Sequence, residues 1–195
     1  MSSETLSILM TLDRNSVDTK LATQCAPVIA GVKVSNLLTV KREFLQDICQ
    51  IFAGTPIRVF VLCWHKDKVS ILLYRKELLQ NYLKRGEVID LLNAMGYEDC
   101  TLHKIFPVLQ KRYKNHVLDN GEFPHELGLI LGYPACDVSG FMNNKGRNFS
   151  YNGYWKVYEN KDEAVKTFTK YDRVKEAAIR LLGRDRSVME LIKAG

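Results

Sequence analysis

The spacing of apolar and polar positions changes several times along the chain, and those changes divide it into elements. Residues 4–23 carry Leu6, Leu9, Met10, Val17 and Leu21 at loose helical spacing, and Cys25 to Gly31, with Pro27 inside, predicts a break. Leu37 to Val40 reads as a short strand or the first turn of a helix. Over 41–53, Phe44, Leu45, Ile48, Ile51 and Phe52 recur at helical spacing, and Gly54-Thr55-Pro56 stops the run. Two runs rich in branched and aromatic residues follow, Ile57 to Trp64 and Val69 to Tyr74, joined by His65-Lys66-Asp67-Lys68. They predict an antiparallel hairpin. Both runs are apolar at nearly every position, so the strands should be covered on both faces, with Val59, Val61, Ile71 and Leu73 largely buried. Helical patterns return over about 76–84, 87–95 and 101–115, punctuated by Gly86 and Gly96.

The C-terminal third is more sharply marked. Pro124 suits the first turn of a helix through Leu131, closed by Gly132. Pro134 opens a second helix through Asn143 or Asn144, ending near Gly146. Phe149-Ser150-Tyr151 and Tyr154 to Tyr158 flank Asn152-Gly153, a two-residue hairpin turn signal. Asn160, with Glu163 three residues on, predicts a capping box for a last helix running to about Leu182. Its Ala164, Phe168, Tyr171, Ala178 and Leu182 form one apolar stripe, opposite Lys166, Lys170, Arg173, Arg180 and Arg184.

These elements predict one α+β domain over residues 1–195, with a small, mainly antiparallel sheet (hairpin 57–74, second hairpin 149–158) packed with several helices. Composition agrees: 195 residues, 46% of them hydrophobic, suffice for a core. The longest uncharged run, Leu21 to Val32, has 12 residues, too short to span a membrane. Met1-Ser2-Ser3-Glu4 opens without a basic stretch ahead of an apolar run, which predicts a protein that is not exported and works in the cytoplasm. Five cysteines without a CxxC pair predict reduced thiols. Cys100 and His103 are the only closely spaced zinc-ligand pair, and no second pair completes a site, so no metal and no cofactor are expected. Of the net charge of +6, residues 141–195 carry 12 basic against 7 acidic side chains. A local basic surface attracts anionic partners and equally serves to solvate a helix.

Two segments carry a resemblance. Ala26-Pro27-Val28, Gly31-Val32-Lys33 and Ser35-Asn36-Leu37-Leu38 form the first. Pro124-His125-Glu126-Leu127-Gly128, Leu131-Gly132-Tyr133-Pro134, Asp137-Val138, Gly140-Phe141 and Gly153-Tyr154-Trp155-Lys156-Val157-Tyr158 form the second. In order and spacing they resemble an uncharacterised bacterial domain-of-unknown-function family (DUF 3793-like). The resemblance implies no assigned activity, and a redox or metal-homeostasis setting through neighbouring flavodoxin and iron-transport genes.

Several constellations carry possible chemistry. His125-Glu126 lacks the second histidine of a zinc-protease helix, since Leu129 stands there. Glu126 suits the dipole of a helix start, while an imidazole at His125 suits proton transfer. Cys25 is a nucleophile only with a base beside it, and otherwise a packed thiol. Gly31 to Ser35 lacks the glycines and the Gly-Lys-Ser/Thr of a phosphate loop, although Lys33 suits an anion. The helix–turn–helix–hairpin order over 124–158 matches a winged helix, yet the second helix offers Ala135, Cys136, Asp137, Ser139 and Gly140 where base-reading side chains belong. Tyr154, Lys156 and Tyr158 share one strand face, combining ring contacts with one cation, and Trp155 and Val157 share the other.

The functional expectation is a binding or accessory protein. Its ligand site comprises Lys33, Asn36, His125, Tyr133, Tyr154, Lys156 and Tyr158, and its partner is a protein or a small anionic ligand, with no membrane role. Two other classes stand beside it: a nucleic-acid binder using the C-terminal third, which is not favoured, and a small enzyme with His125, Glu126 and Cys25 as catalytic candidates.

Overall fold

The computed structural model describes residues 1–194. Three antiparallel strands form its centre, β1 (Ser35–Lys41), β2 (Ile57–His65) and β3 (Lys68–Arg75), in the order β1-β3-β2. The ambiguous stretch Leu37 to Val40 is therefore a strand, made so by pairing with β3 (Leu38 opposite Ile71), which no local pattern announces. Along β3, Val69, Ile71 and Leu73 enter the core on one face, and Leu72 enters the core on the other. A middle strand buried on both faces explains its nearly continuous apolar run, in which buried Ser70 bonds Thr39 on β1 at 3.0 Å. β2 is at the edge, so Val59 and Val61 are half-buried rather than largely buried as expected.

On the first face pack α2 (Val17–Lys20), α3 (Ala26–Ile29) and α4 (Phe44–Phe52), while α1 (Ser3–Thr11) lies outside them. The break expected from Cys25 onward is absent. α2 passes through a π-helical turn, Leu21–Cys25, into α3, and the chain reverses only at Gly31. Pro27 sits at the start of α3, where its missing N–H is tolerated. Arg75, ending β3, closes α3 from the other side: Nε donates to the Val28 carbonyl at 2.7 Å and Nη2 donates to that of Ile29.

The second face carries α5 (Lys76–Leu83), α6 (Gly86–Ala94), α7 (Leu102–Asp119), α8 (Glu126–Ile130) and α9 (Ala135–Asn143). A two-stranded hairpin follows, β4 (Tyr151–Asn152) and β5 (Lys156–Val157), then α10 (Lys161–Leu182) and a 3-10 helix over Val188–Ala194. Asn152 pairs with Lys156, so the turn is Gly153-Tyr154-Trp155, not the two-residue Asn152-Gly153 turn expected. Asn160 adopts a left-handed conformation (φ +49°) and makes no side-chain cap, so the expected capping box does not form; its carbonyl accepts the Glu163 and Ala164 N–H groups instead. The first half of α10 packs Ala164, Phe168 and Tyr171 against Trp155 and Val157 of the hairpin, and Ala178 of its second half joins the first face of the sheet. Its basic stripe points to solvent at Lys166, Lys170, Arg173 and Arg184, while Arg180 is held by Glu176 at 2.9 Å. Among the described residues, no helix is long and apolar enough to cross a membrane.

Candidate functional site

The segment from Pro124 to Tyr158 wraps around a cleft, and each of its supports can be read from one side chain. Glu126, 2% exposed at the start of α8, accepts hydrogen bonds from Tyr97 Oη (2.9 Å) and Arg112 Nη1 (3.0 Å). Arg112 Nη2 also donates to the Met95 carbonyl, so one carboxylate ties α8 to α7 and to the end of α6. That bond network fixes His125, whose ring centroid lies 5.7 Å from those of both Phe123 and Phe141.

Gly132 makes the corner between α8 and α9. Its φ of +79° favours glycine, and a Cβ there would come within 2.6 Å of Val34 Cγ2. The corner delivers the Tyr133 carbonyl to the Tyr82 hydroxyl and stacks the Tyr133 ring on Trp155, at 5.0 Å between centroids. On α9, Asp137 is 3% exposed and fully used: Oδ2 accepts Trp155 Nε1–H at 2.7 Å, and Oδ1 accepts the N–H groups of Tyr158 (2.7 Å) and Glu159 (3.1 Å). A buried carboxylate satisfied by three donors is a staple, and here it docks the hairpin on α9. Gly140 completes the fit, since a Cβ would meet the Tyr158 ring at 2.5 Å.

The space enclosed is about 370 Å³. Leu37, Leu127, Leu131 and Val138 are its apolar lining; Phe123, His125, Tyr133, Phe141, Tyr154 and Trp155 give it six rings. Lys156 stands at the wall with Nζ donating to the Gly146 carbonyl (2.7 Å), 4.9 Å from the Phe149 ring centroid and 5.6 Å from that of Phe141. Among the described residues it forms no ion pair. A cation over ring faces with N–H groups to spare can receive an anion, and the rings can sandwich a flat body.

Of the seven expected ligand residues, His125, Tyr133, Tyr154 and Lys156 line this cleft. Lys33 and Asn36 do not. Lys33 Nζ sits 5.6 Å from the centroid of Tyr133 and donates to Asn36 Oδ1 at 2.8 Å, while Asn36 Nδ2 donates to the Leu37 carbonyl and faces Cys25 Sγ at 3.8 Å. Tyr158 turns its ring onto Gly140, and its hydroxyl has no partner among the described residues. The site expected from sequence left out Phe123, Val138, Phe141 and Asn152, all of which line the cleft.

The catalytic candidates stay apart. Among the described residues no hydrogen bond joins Cys25, His125 and Glu126, and Cys25 is fully buried in the core on the far side of the sheet. Burial pushes its thiol up to about 12, against a smaller lowering by Lys33, so the nucleophilic thiolate is suppressed at neutral pH. The same burial brings Lys33 down to about 8. All five cysteines are free thiols, and among the described residues no cluster of three His, Cys, Asp or Glu side chains is placed to hold a metal ion. The would-be recognition helix α9 exposes fully only Asn143, and its Asp137 faces inward.

A family model described as a protein of unknown function (DUF3793) matches residues 21–192. The chain belongs to that family. The matched span contains every residue that lines the cleft and leaves α1 outside. No curated protein and no solved structure matches the chain.

Proposed function

We propose that this member of the DUF3793 family is a binding protein whose site is the cleft between α8, α9 and the β4–β5 hairpin. Its ligand is a small molecule with a flat, largely apolar body and one anionic group. The observation that carries the reading is Lys156: a cation that has no acidic partner among the described residues, set in the wall of a ring-lined cavity whose volume falls within the range of small-molecule sites. In the same proposal the chain is a cytoplasmic, single-domain accessory protein of a bacterium, in a redox or metal-homeostasis setting supported by the family resemblance.

Two dyes of one shape test it. Anilinonaphthalene sulfonate carries the anion, and N-phenylnaphthylamine lacks it. In fluorescence titrations the sulfonate should bind about tenfold more tightly, the scale of one charge-assisted hydrogen bond. Lys156→Met should erase that difference by weakening the sulfonate alone. Equal affinities in the unmodified protein, or a preference that survives Lys156→Met, would refute the reading.

A further inference from the structure

Among the described residues β2 pairs with β3 alone, which leaves its other edge without a partner strand. Beside its C-terminal half lies a groove of about 580 Å³ shared with α7. Four consecutive residues of the strand, Val61 to Trp64, line it. A bulge between Val61 and Cys63 interrupts the ladder here. Gln110 of α7 donates Nε2–H to the Val61 carbonyl at 2.6 Å, which marks that carbonyl as facing away from β3. By strand alternation Val59, two residues earlier, presents its N–H and C=O the same way. Gln110 occupies the Val61 carbonyl, so a strand added at this edge displaces that side chain and pairs with the main chain it uncovers.

The side chains around this edge have a consistent character. Pro107, Leu118 and Trp64 give apolar surface, Leu118 and Trp64 being 41% and 44% exposed. Lys111 and Lys114 are the charged residues in the lining, both exposed, and among the described residues neither forms an ion pair. Among the described residues no acidic side chain lines the groove. A second copy of this chain is a poor occupant, because pairing β2 with itself about a two-fold axis repeats the same lysines on both sides of the seam. An extended chain with carboxylates matches both the edge and the charge.

We propose that this groove docks an extended acidic segment of a partner protein, which adds a strand to the free edge of β2 and sets its carboxylates against Lys111 and Lys114. The site is separate from the cleft and stands whether or not the cleft binds a ligand. Trp64 reports on it from within.

The test uses the full chain and a short peptide alternating glutamate with valine. A second peptide has every other amide N-methylated, which keeps the side chains and removes the edge hydrogen bonds. A third replaces glutamate with lysine. The glutamate peptide should shift the Trp64 emission to the blue, and its affinity should fall at least about tenfold on N-methylation and in the Lys111→Glu/Lys114→Glu variant. Circular dichroism and the melting temperature confirm that the variant folds, and the N-methylated arm needs no variant. The proposal is overturned by no binding of the glutamate peptide, by equal binding of the N-methylated peptide, by tighter binding of the lysine peptide, or by single-stranded DNA displacing the glutamate peptide from the groove.

Discussion

Replacing Lys33 with methionine should stabilise the protein, because Lys33 is an ammonium held where water cannot reach it. The residue is 6% exposed, and among the described residues its Nζ has one hydrogen-bond acceptor, Asn36 Oδ1, and no carboxylate. Burial lowers its pKa from 10.5 to about 8. At about 1.4 kcal/mol per unit, that shift amounts to roughly 3 kcal/mol of instability wherever both the folded and unfolded chains carry the charge. Methionine fills a similar volume without a charge, and leaving Asn36 Oδ1 without its donor takes back about 1 kcal/mol. The net gain is about 2 kcal/mol at pH 7, or roughly 4–8 °C in melting temperature for a chain of this size.

The pH dependence separates this cause from better packing. Below pH 8 the gain is constant. Between pH 8 and 10.5 the unfolded chain keeps the Lys33 proton that the folded chain has released, so the unmodified protein strengthens relative to the variant and the gain shrinks. Cys25 works in the opposite sense in both proteins: its folded thiol, raised to about 12, keeps a proton that the unfolded thiol loses above 9, so stability falls as pH rises through that window. Urea unfolding of both proteins at pH 7, 8.5 and 10 provides the comparison. A Lys33→Met variant less stable at pH 7, or a gain that does not change with pH, would show that the buried charge is not what destabilises the protein.

Other outcomes follow from the same geometry. Glu126→Gln should lower stability by about 2 kcal/mol in urea, since Arg112, 40% exposed, is partly rescued by water while the buried acceptor weakens. Asp137→Leu should release the hairpin, visible as loss of the shifted Trp155 indole N–H resonance and of about 3 kcal/mol of stability. Gly132→Ala should lose about 1–3 kcal/mol in the same assay, because φ is +79° and Val34 must move. In titration with a thiol reagent, exposed Cys49 should react first, while Cys25 and Cys63 react only on unfolding.

What the sequence made legible depended on how local the cause was. The 57–74 hairpin was readable because β3 is buried on both faces, so its own residues carry the signal. β1 was ambiguous because Asn36 and Thr39 interrupt its apolar pattern, and only β3 makes it a strand. Pro27 misled because a proline early in a helical turn looks the same as one that ends a helix. At the site, His125, Tyr133 and Lys156 line one cleft. Nothing local announced that Asp137 would bind Trp155, 18 positions away, or that Lys33 would stop behind the Tyr133 ring. Both depend on how the hairpin and the 31–34 loop close on the same helix corner.

The sequence has two tryptophans, and they stand at the two places that matter: Trp155 in the cleft and Trp64 at the β2 edge. The most direct measurement is therefore a nitrogen–proton correlation spectrum of the two indole N–H groups during titration with anilinonaphthalene sulfonate. The Trp155 resonance should move in step with dye fluorescence while that of Trp64 stays in place, and Lys156→Met should move the midpoint about tenfold higher. Movement of Trp64 with Trp155 unchanged would contradict it.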